Sequence, residues 1–342
     1  MVKVIYFGEY LKDYLEVSNI SQTEFATKMG VTKKHINEIL NGKKSITLEM
    51  AANIERLTGI SSQFIVNIEN GRIIEEYLNS MFKDESEIMK YAKTDFHIKE
   101  LEKSNWLTFK DRTNAYQVCI DLMNFLKIKD FSVLEEMKSK VLFKKTGEDF
   151  NKLTLWIARC EELCTQQDVA EYAPSNFTLL IKELKALSYE EGFSVEKVGK
   201  LLNKYGIFFV VEKALPSSKV RGAMKIRGNK PAIFLTKNYV AKDSFYFELF
   251  HELGHCKSDY NVGKNKVIID GDDEQERKAD IFALNTMVSE QAQKEILLSK
   301  TEKELLSISK KHKISMSFIV GKLAKTGRLK YSSNMYNKYK NI

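Results

Sequence analysis

Residues Asp243–Cys256 read DSFYFELFHELGHC, and within them His251, Glu252 and His255 form an H-E-x-x-H. On a helix, residues four apart stand one above the other. Both imidazoles then face one side and can share a tetrahedral metal, while Glu252 reaches toward the metal's water. Phe247, Phe250 and Leu253 supply the helix's other faces, and Asp243 or Ser244 is placed to cap its start. The same pattern can be an ordinary salt-bridged helix, but the flanking aromatics and a carboxylate on the next helix favour a metal site.

A catalytic zinc takes a third protein ligand and keeps a fourth position open. Glu276, about 20 residues downstream in DDEQERKADIFALNTMV, is the best-placed donor, ahead of Asp270, Asp272, Asp273 and Glu274 in the charged stretch before it. Asp280 lies one turn beyond Glu276, where it can accept the second ring N–H of a ligating histidine and fix its tautomer. For a second donor to an oxyanion, Arg221 and Tyr246 are the candidates.

Upstream, Ile207–Val211, Ala223–Arg227 and Ala232–Leu235 read as strands bounded by Gly206, Pro216, Gly222, Gly228 and Pro231. Helical patterning resumes near Ser244 and persists to about Lys325. Leu305–Leu323 again reads helix, turn, helix, with an apolar second helix that suits packing against the metal-binding part better than reading DNA. The stretch 71–185 holds Gly71, Gly147 and Pro174 as its breakers and reads as a helical connector.

Residues 1–70 carry apolar residues at helical spacing, and Ser21, Thr32 and Thr47 stand where helices begin. Five short helices with tight turns follow. Ser21–Asn41, SQTEFATKMGVTKKHINEILN, has the layout of a helix-turn-helix: Phe25, Ala26 and Met29 bury the first helix, Gly30 tightens the turn, and Val31, Ile36 and Ile39 pin the second. Thr32 opens a second helix from which Lys33, Lys34, His35, Asn37 and Glu38 project toward base edges, with Gln22, Asn41, Lys43 and Lys44 placed for phosphates. A bundle with a solvated lysine face is the plain alternative, since residues 1–70 carry equal numbers of acidic and basic residues.

On these residues, 7–70 resemble the Cro/C1-type (Xre) helix-turn-helix, particularly antitoxins of the HigA kind. The resemblance implies a five-helix, lambda-repressor-like domain that binds double-stranded operator DNA, with a homodimer as the expected assembly. By it, Gln22, Lys33, Lys34 and Glu38 fall on contact positions. Residues from about 193 to 325 resemble the ImmA/IrrE metallopeptidase domain through VGKLLNKYGIFFVVEKALPSSKVRGAM, NKPAIFLTKNYVAKDSFYFELFHELGHC and ERKADIFALNTMV. That resemblance implies a zincin-like α+β unit with Zn²⁺ on His251, His255 and Glu276, and Glu252 as general base. It also implies a protein substrate, such as a repressor or toxin-like partner. The family's proline after this stretch is absent from Thr286–Glu290.

The 342 residues suit two or three domains, and 43% hydrophobic with 29% charged residues is an ordinary globular composition. The expected division is 1–70, 71–185 and 186–342, mainly α with a small sheet (α+β). No stretch is apolar enough to cross a membrane, and the N-terminus lacks signal-peptide order, so a cytoplasmic location is expected. Four cysteines without disulfide spacing agree, with Cys160 and Cys164 one helical turn apart as buried thiols. A net charge of +8 permits nucleic acid without demanding it. The leading reading is a DNA-binding transcriptional regulator, of antitoxin or prophage-repressor type, carrying a zinc peptidase. Two others stand beside it: a regulator whose zinc site is a sensor or structural remnant, and a peptidase whose N-terminal module recognises protein.

Overall fold

The first helices begin where hydroxyls close their opening turns. Ser21 accepts from the Glu24 amide at 3.1 Å, Thr32 from His35 at 3.2 Å and Thr47 from Met50 at 3.2 Å, so each satisfies an orphan N–H. These caps set α2 (Gln22–Met29), α3 (Lys33–Leu40) and α4 (Leu48–Thr58), with α1 (Phe7–Val17) before and α5 (Ser62–Met81) after. Gly30 ends α2 in the left-handed region at φ 68°, which makes the tight turn into α3. Phe7, Leu11, Phe25, Ile36, Ile54 and Ile65 form the core of this unit, all essentially removed from solvent. Gly8 lets α1 lie directly on α3, because a Cβ there would overlap the Ile39 carbonyl.

Helix α5 continues through residue 70, past the expected end of the domain. Gly71 within it is tolerated, and Arg72 is buried between Glu69 (2.6 Å) and Glu76 (2.5 Å). Arg72 also donates to Ser45 Oγ at 2.6 Å, and Glu69 accepts from the Ile46 amide at 3.4 Å. The long helix thereby clasps the loop that carries Lys43 and Lys44.

The computed structural model describes residues 6–81, 85–92, 96–134, 136, 141–142, 149–190, 192–237, 241–264, 267–268 and 273–341. The chain divides into two units, Met1–Thr94 with Phe109–Asp121, and Asp95–Thr108 with Leu122–Ile342. The stretch read as a connector is thus shared between them. It is largely helical, with α6 (Glu85–Lys90), α7 (Ile98–Lys103), α8 (Ala115–Leu126), α9 (Phe150–Cys164) and α10 (Phe177–Tyr189), but Val141–Leu142 forms a short strand, β1. All four cysteines are buried and free, and burial pushes the Cys164 thiol up to about 12.

In the second unit the three expected strands are present as β2 (Phe208–Glu212), β3 (Gly222–Arg227) and β4 (Lys230–Thr236). A fifth, β5 (Val267–Ile268), completes the order β1-β5-β3-β4-β2. β2 runs parallel to β4, and β3 antiparallel to both β4 and β5. Two-residue strands are too short to show a period, which is why β1 and β5 were not expected. Helix α9 lies on this sheet: Trp156 meets Phe234 edge-on at 6.2 Å and donates its indole N–H to the Glu212 carbonyl at 3.1 Å.

The remaining helices are α11 (Val195–Lys204), α12 (Lys242–Ser258), α13 (Tyr260–Gly263), α14 (Asp273–Met287), α15 (Glu290–Leu298), α16 (Glu302–His312), α17 (Met316–Lys325) and α18 (Asn334–Tyr339). The expected cap of α12 by Asp243 or Ser244 is corrected here. The helix starts at Lys242, with Ala241 in the N-cap position ahead of both residues, and has no side-chain cap of its own. Its first amides are satisfied from outside, Lys242 N–H donating to the Lys340 carbonyl at 2.9 Å and Asp243 N–H to Ser317 Oγ at 3.1 Å. Helices α16 and α17 have the expected helix-turn-helix shape, and Phe318, Ile319, Val320 and Leu323 of α17 sit in the core of the unit. Among the described residues no helix is long and apolar enough to cross a membrane.

Candidate metal centre and DNA-reading helix

Helix α12 is buried along most of its length, and α14 packs closely across it. The close approach depends on small residues: a Cβ on Gly254 would stand 2.9 Å from Ala279 Cα, far tighter than contacts allow. With the helices so near, Glu276 reaches both imidazoles. Its Oε2 is 3.2 Å from His251 Nε2, its Oε1 is 3.2 Å from His255 Nε2, and the two Nε2 atoms are 3.1 Å apart.

Each outer ring nitrogen meets a carboxylate. His251 Nδ1 donates to Asp280 Oδ1 at 3.0 Å, and His255 Nδ1 donates to Asp259 Oδ2 at 2.9 Å. Asp259 is held in turn by Gln275 Nε2 on its other oxygen at 3.0 Å. Carboxylates only accept, so each Nδ1 carries a proton; each Nε2 faces Glu276 and donates to it when the ring is protonated, and offers its lone pair inward once that second proton has left. Burial alone would drive His251 toward neutrality, but the bonds to Asp280 and Glu276 outweigh it and raise its pKa to about 10. Burial likewise raises the Glu276 carboxyl, and the two histidines override it, holding it well below the ordinary carboxylate range. The cluster is therefore built to hold positive charge.

That charge can be a metal ion. Ligands about 2.0–2.1 Å from a tetrahedral zinc stand about 3.3 Å from one another, close to the 3.1–3.2 Å separations here. His251, His255 and Glu276 offer one donor atom each, all within 4.8 Å of one another. Of the rival donors, Asp270 and Asp272 lie outside the described residues, Asp273 opens α14, and Glu274 pairs with Lys278 at 2.7 Å.

Glu252 is 2% exposed, and its Oε2 has no hydrogen-bond partner among the described residues. Burial pushes its carboxyl up to about 8. Gly222, the first residue of β3, makes room for it, since a Cβ there would overlap the Glu252 carboxylate. Gly222→Ala is therefore expected to displace Glu252 and lower stability by about 1–3 kcal/mol, read from the urea midpoint. An unchanged midpoint would show that the carboxylate moves aside freely.

Of the two candidate oxyanion donors, Tyr246 is 1% exposed and packed among Phe193, Phe245, Phe250 and Phe318, so it is a core residue. Arg221 stays at the surface, 3.2 Å from Glu248. Three contributors went unnoticed in the sequence: Asp259, Gly222 and Gly254. Asp259 had a signal, because it lies four residues after His255 on the same helical face.

In the first unit, Thr32, Lys33, Lys34, Asn37, Asn41, Lys43 and Lys44 are exposed, and Gln22 and Glu38 are half-buried. Thr32 spends its oxygen on the α3 cap and keeps its O–H to donate. Asn41 donates to the Asn37 carbonyl at 2.7 Å and to its side-chain oxygen at 3.2 Å. Lys34 stands 3.9 Å from Glu38, so the acid on this face has its own counter-ion. His35 departs from the expectation: it is half-buried, and its Nε2 is enclosed with no partner among the described residues. It follows the buried Ile36 side of α3 rather than the outward one.

Comparison with known proteins places both units. The Helix-turn-helix family matches residues 11–65, and the IrrE N-terminal-like domain, of a peptidase family, matches residues 204–324. An uncharacterized HTH-type transcriptional regulator of Escherichia coli K12, YddM, is 32% identical over 63 residues, which is 18% of this chain and 67% of that protein. Two solved structures are similar to about a quarter of the chain. One, from Nostoc punctiforme and described as an antidote protein of a plasmid maintenance system, is 27% identical and covers 26% of this chain and 97% of its own, with a TM-score of 0.24. The other, an addiction module antidote protein of a HigA family from Coxiella burnetii, is 24% identical and covers 24% and 90%, with a TM-score of 0.23. The fold and sites define a DNA-binding regulator fused to a peptidase-like domain. The chain belongs to the helix-turn-helix transcriptional regulators, with an IrrE N-terminal-like domain in its second unit.

Proposed function

We propose that this regulator is a zinc-dependent peptidase that cleaves a repressor or a partner protein, in cis or in trans, and so ends or alters operator occupancy. The observation that supports it is the inward convergence of His251 Nε2, His255 Nε2 and Glu276, each imidazole oriented from behind by a carboxylate. His251, His255 and Glu276 would hold the zinc, and when bound it would supply Lewis acidity to water and to a peptide carbonyl. Glu252 does the proton work. Its enclosed carboxyl, with one oxygen uncommitted, takes a proton from water, keeps it out of bulk solvent, and returns it to the leaving amine. Asp280 and Asp259 hold the imidazoles in one tautomer throughout.

On the DNA side, Lys33, Lys34, Asn37 and Glu38 meet base edges or the phosphates beside them, and Gln22, Thr32, Asn41, Lys43 and Lys44 meet phosphates. His35 serves the helix interior. The DNA-binding part comprises residues 1–70, and the peptidase part extends from about 186. The chain works in the cytoplasm.

Incubating the zinc-loaded chain with repressors and with the product of the adjacent gene, and sequencing new N-termini by mass spectrometry, tests the hydrolytic half. No new terminus with any of them removes it. His251→Ala is expected to lower bound zinc to below about 0.2 per chain, read by atomic emission. Undiminished zinc would take His251 out of the ligand set.

A further inference from the structure

Beside the candidate metal centre lies a cleft of about 280 Å³, just below the range for small-ligand sites and suited to one large side chain. Three helices wall it: Phe247 from α12, Leu284 and Met287 from the end of α14 with Val288 just past it, and Phe318 from α17. The cleft adjoins the chemistry. Phe247 sits one turn before His251, with ring centroids 6.2 Å apart, and Arg221 on its rim precedes Gly222, which underlies Glu252.

Its polar members are largely engaged with one another. Arg221 pairs with Glu248 at 3.2 Å, Lys322 donates to Gln293 at 3.0 Å, and the Lys325 ammonium lies 4.8 Å over the Phe247 ring. Asp243 is the exception: it is folded against Gly321, where a Cβ would overlap its carboxylate, and its Oδ1 is buried with no hydrogen-bond partner among the described residues. What the cleft offers a visitor is mainly apolar wall, with more positive than negative charge around it, so a cationic side chain is disfavoured and an uncharged one fits.

We propose that this cleft is the specificity pocket of the peptidase, receiving a bulky uncharged apolar side chain, aromatic or methionine-like, from the residue next to the scissile bond. The inference rests on the hydrolytic reading above. It assigns substrate selection to Phe247, Leu284, Met287, Val288 and Phe318, none of which takes part in the proton or metal chemistry. Thr286–Glu290 thereby gains a role, since its Met287 and Val288 form one wall.

Two measurements on the full-length chain test it, chosen so that the pocket and the hydrolysis fail separately. In the first, N-acetyl-phenylalaninamide and N-acetylglycinamide are titrated into protein carrying ¹³C-labelled methionine methyls. The Met287 signal is expected to move saturably at millimolar phenylalaninamide and not with the glycine compound. Leu284→Trp, which fills the half-buried mouth, is expected to weaken that response at least 10-fold with the thermal midpoint retained. Equal responses to both compounds, or a response that survives Leu284→Trp in a folded protein, overturns the pocket. If Leu284→Trp does not fold, Leu284→Phe takes its place. In the second, zinc-loaded protein is incubated with a peptide pool from a denatured proteome and the cut bonds are sequenced. Enrichment of aromatic residues, leucine or methionine on one side of the bond, shifted toward small residues by the variant, supports the proposal. Cutting without preference overturns the proposal and leaves hydrolysis standing. A pool left uncut while the methyl response persists counts against the hydrolysis and overturns the pocket's assignment to cleavage.

Discussion

Glu252→Gln is expected to slow peptide-bond hydrolysis by about 10²–10⁴-fold, the usual contribution of a positioned general acid–base, with zinc content unchanged. Glutamine keeps the volume and the reach of glutamate, so the packing of Gly222 beneath it is preserved. It cannot accept the proton from water or carry one to the leaving nitrogen. The side chain is 2% exposed and is not among the three converging ligands, so its replacement leaves His251, His255 and Glu276 in place. The buried amide brings two N–H donors into a space where Oε2 has no partner, which costs about 1–3 kcal/mol of stability. Thermal melting of the variant separates that cost from the catalytic one. Retention of more than a third of the unaltered rate at full zinc loading would remove Glu252 from the chemistry, and a parallel loss of zinc would recast it as a structural neighbour of the ligands.

Much of this centre was legible because it obeys helical spacing. His251 and His255 are four apart, Glu276 and Asp280 are four apart, and both pairs fall on apolar-patterned helices, so their faces could be assigned before any distance was known. The Ser21, Thr32 and Thr47 caps and the Gly30 turn were legible for the same reason, each being a local signal. What escaped were features set by elements far apart in the chain. Nothing local marks Gly222 as the floor beneath a glutamate thirty residues on, or Gly254 as the point where α14 comes close. The start of α12 was misplaced because its amides are satisfied by Ser317 and Lys340, which no reading of residues near 243 can foresee. Strands β1 and β5 pair only with partners distant in sequence, and α9 joined the sheet through Trp156 although its stretch read as a connector.

The same distinction governs the DNA-reading helix, where local pattern named the outward residues and tertiary packing removed one of them. Lys33 and Lys34 are exposed at the start of α3, while His35 turns inward. Replacing both lysines by alanine is expected to weaken binding to the chain's own upstream DNA by about 30- to 10³-fold, at about 1–2 kcal/mol for each lost contact. Where the contacts are to phosphates, the slope of log K against log salt falls by about 1 for each lysine. The two are unequal. Lys34 stands 3.9 Å from Glu38, so Lys34→Ala also leaves a carboxylate facing the phosphates without its counter-ion. It is expected to cost more than Lys33→Ala, and Glu38→Gln in the Lys34→Ala background is expected to restore part of the loss. Lys28→Ala on α2, where the ammonium is bound to Glu24 at 2.7 Å, serves as the control for a general change in charge. Fluorescence anisotropy over a salt series reads all five variants. Binding that keeps its affinity and its salt slope in the double variant would take α3 out of the DNA interface. An equal loss in Lys28→Ala would reduce the effect to net charge.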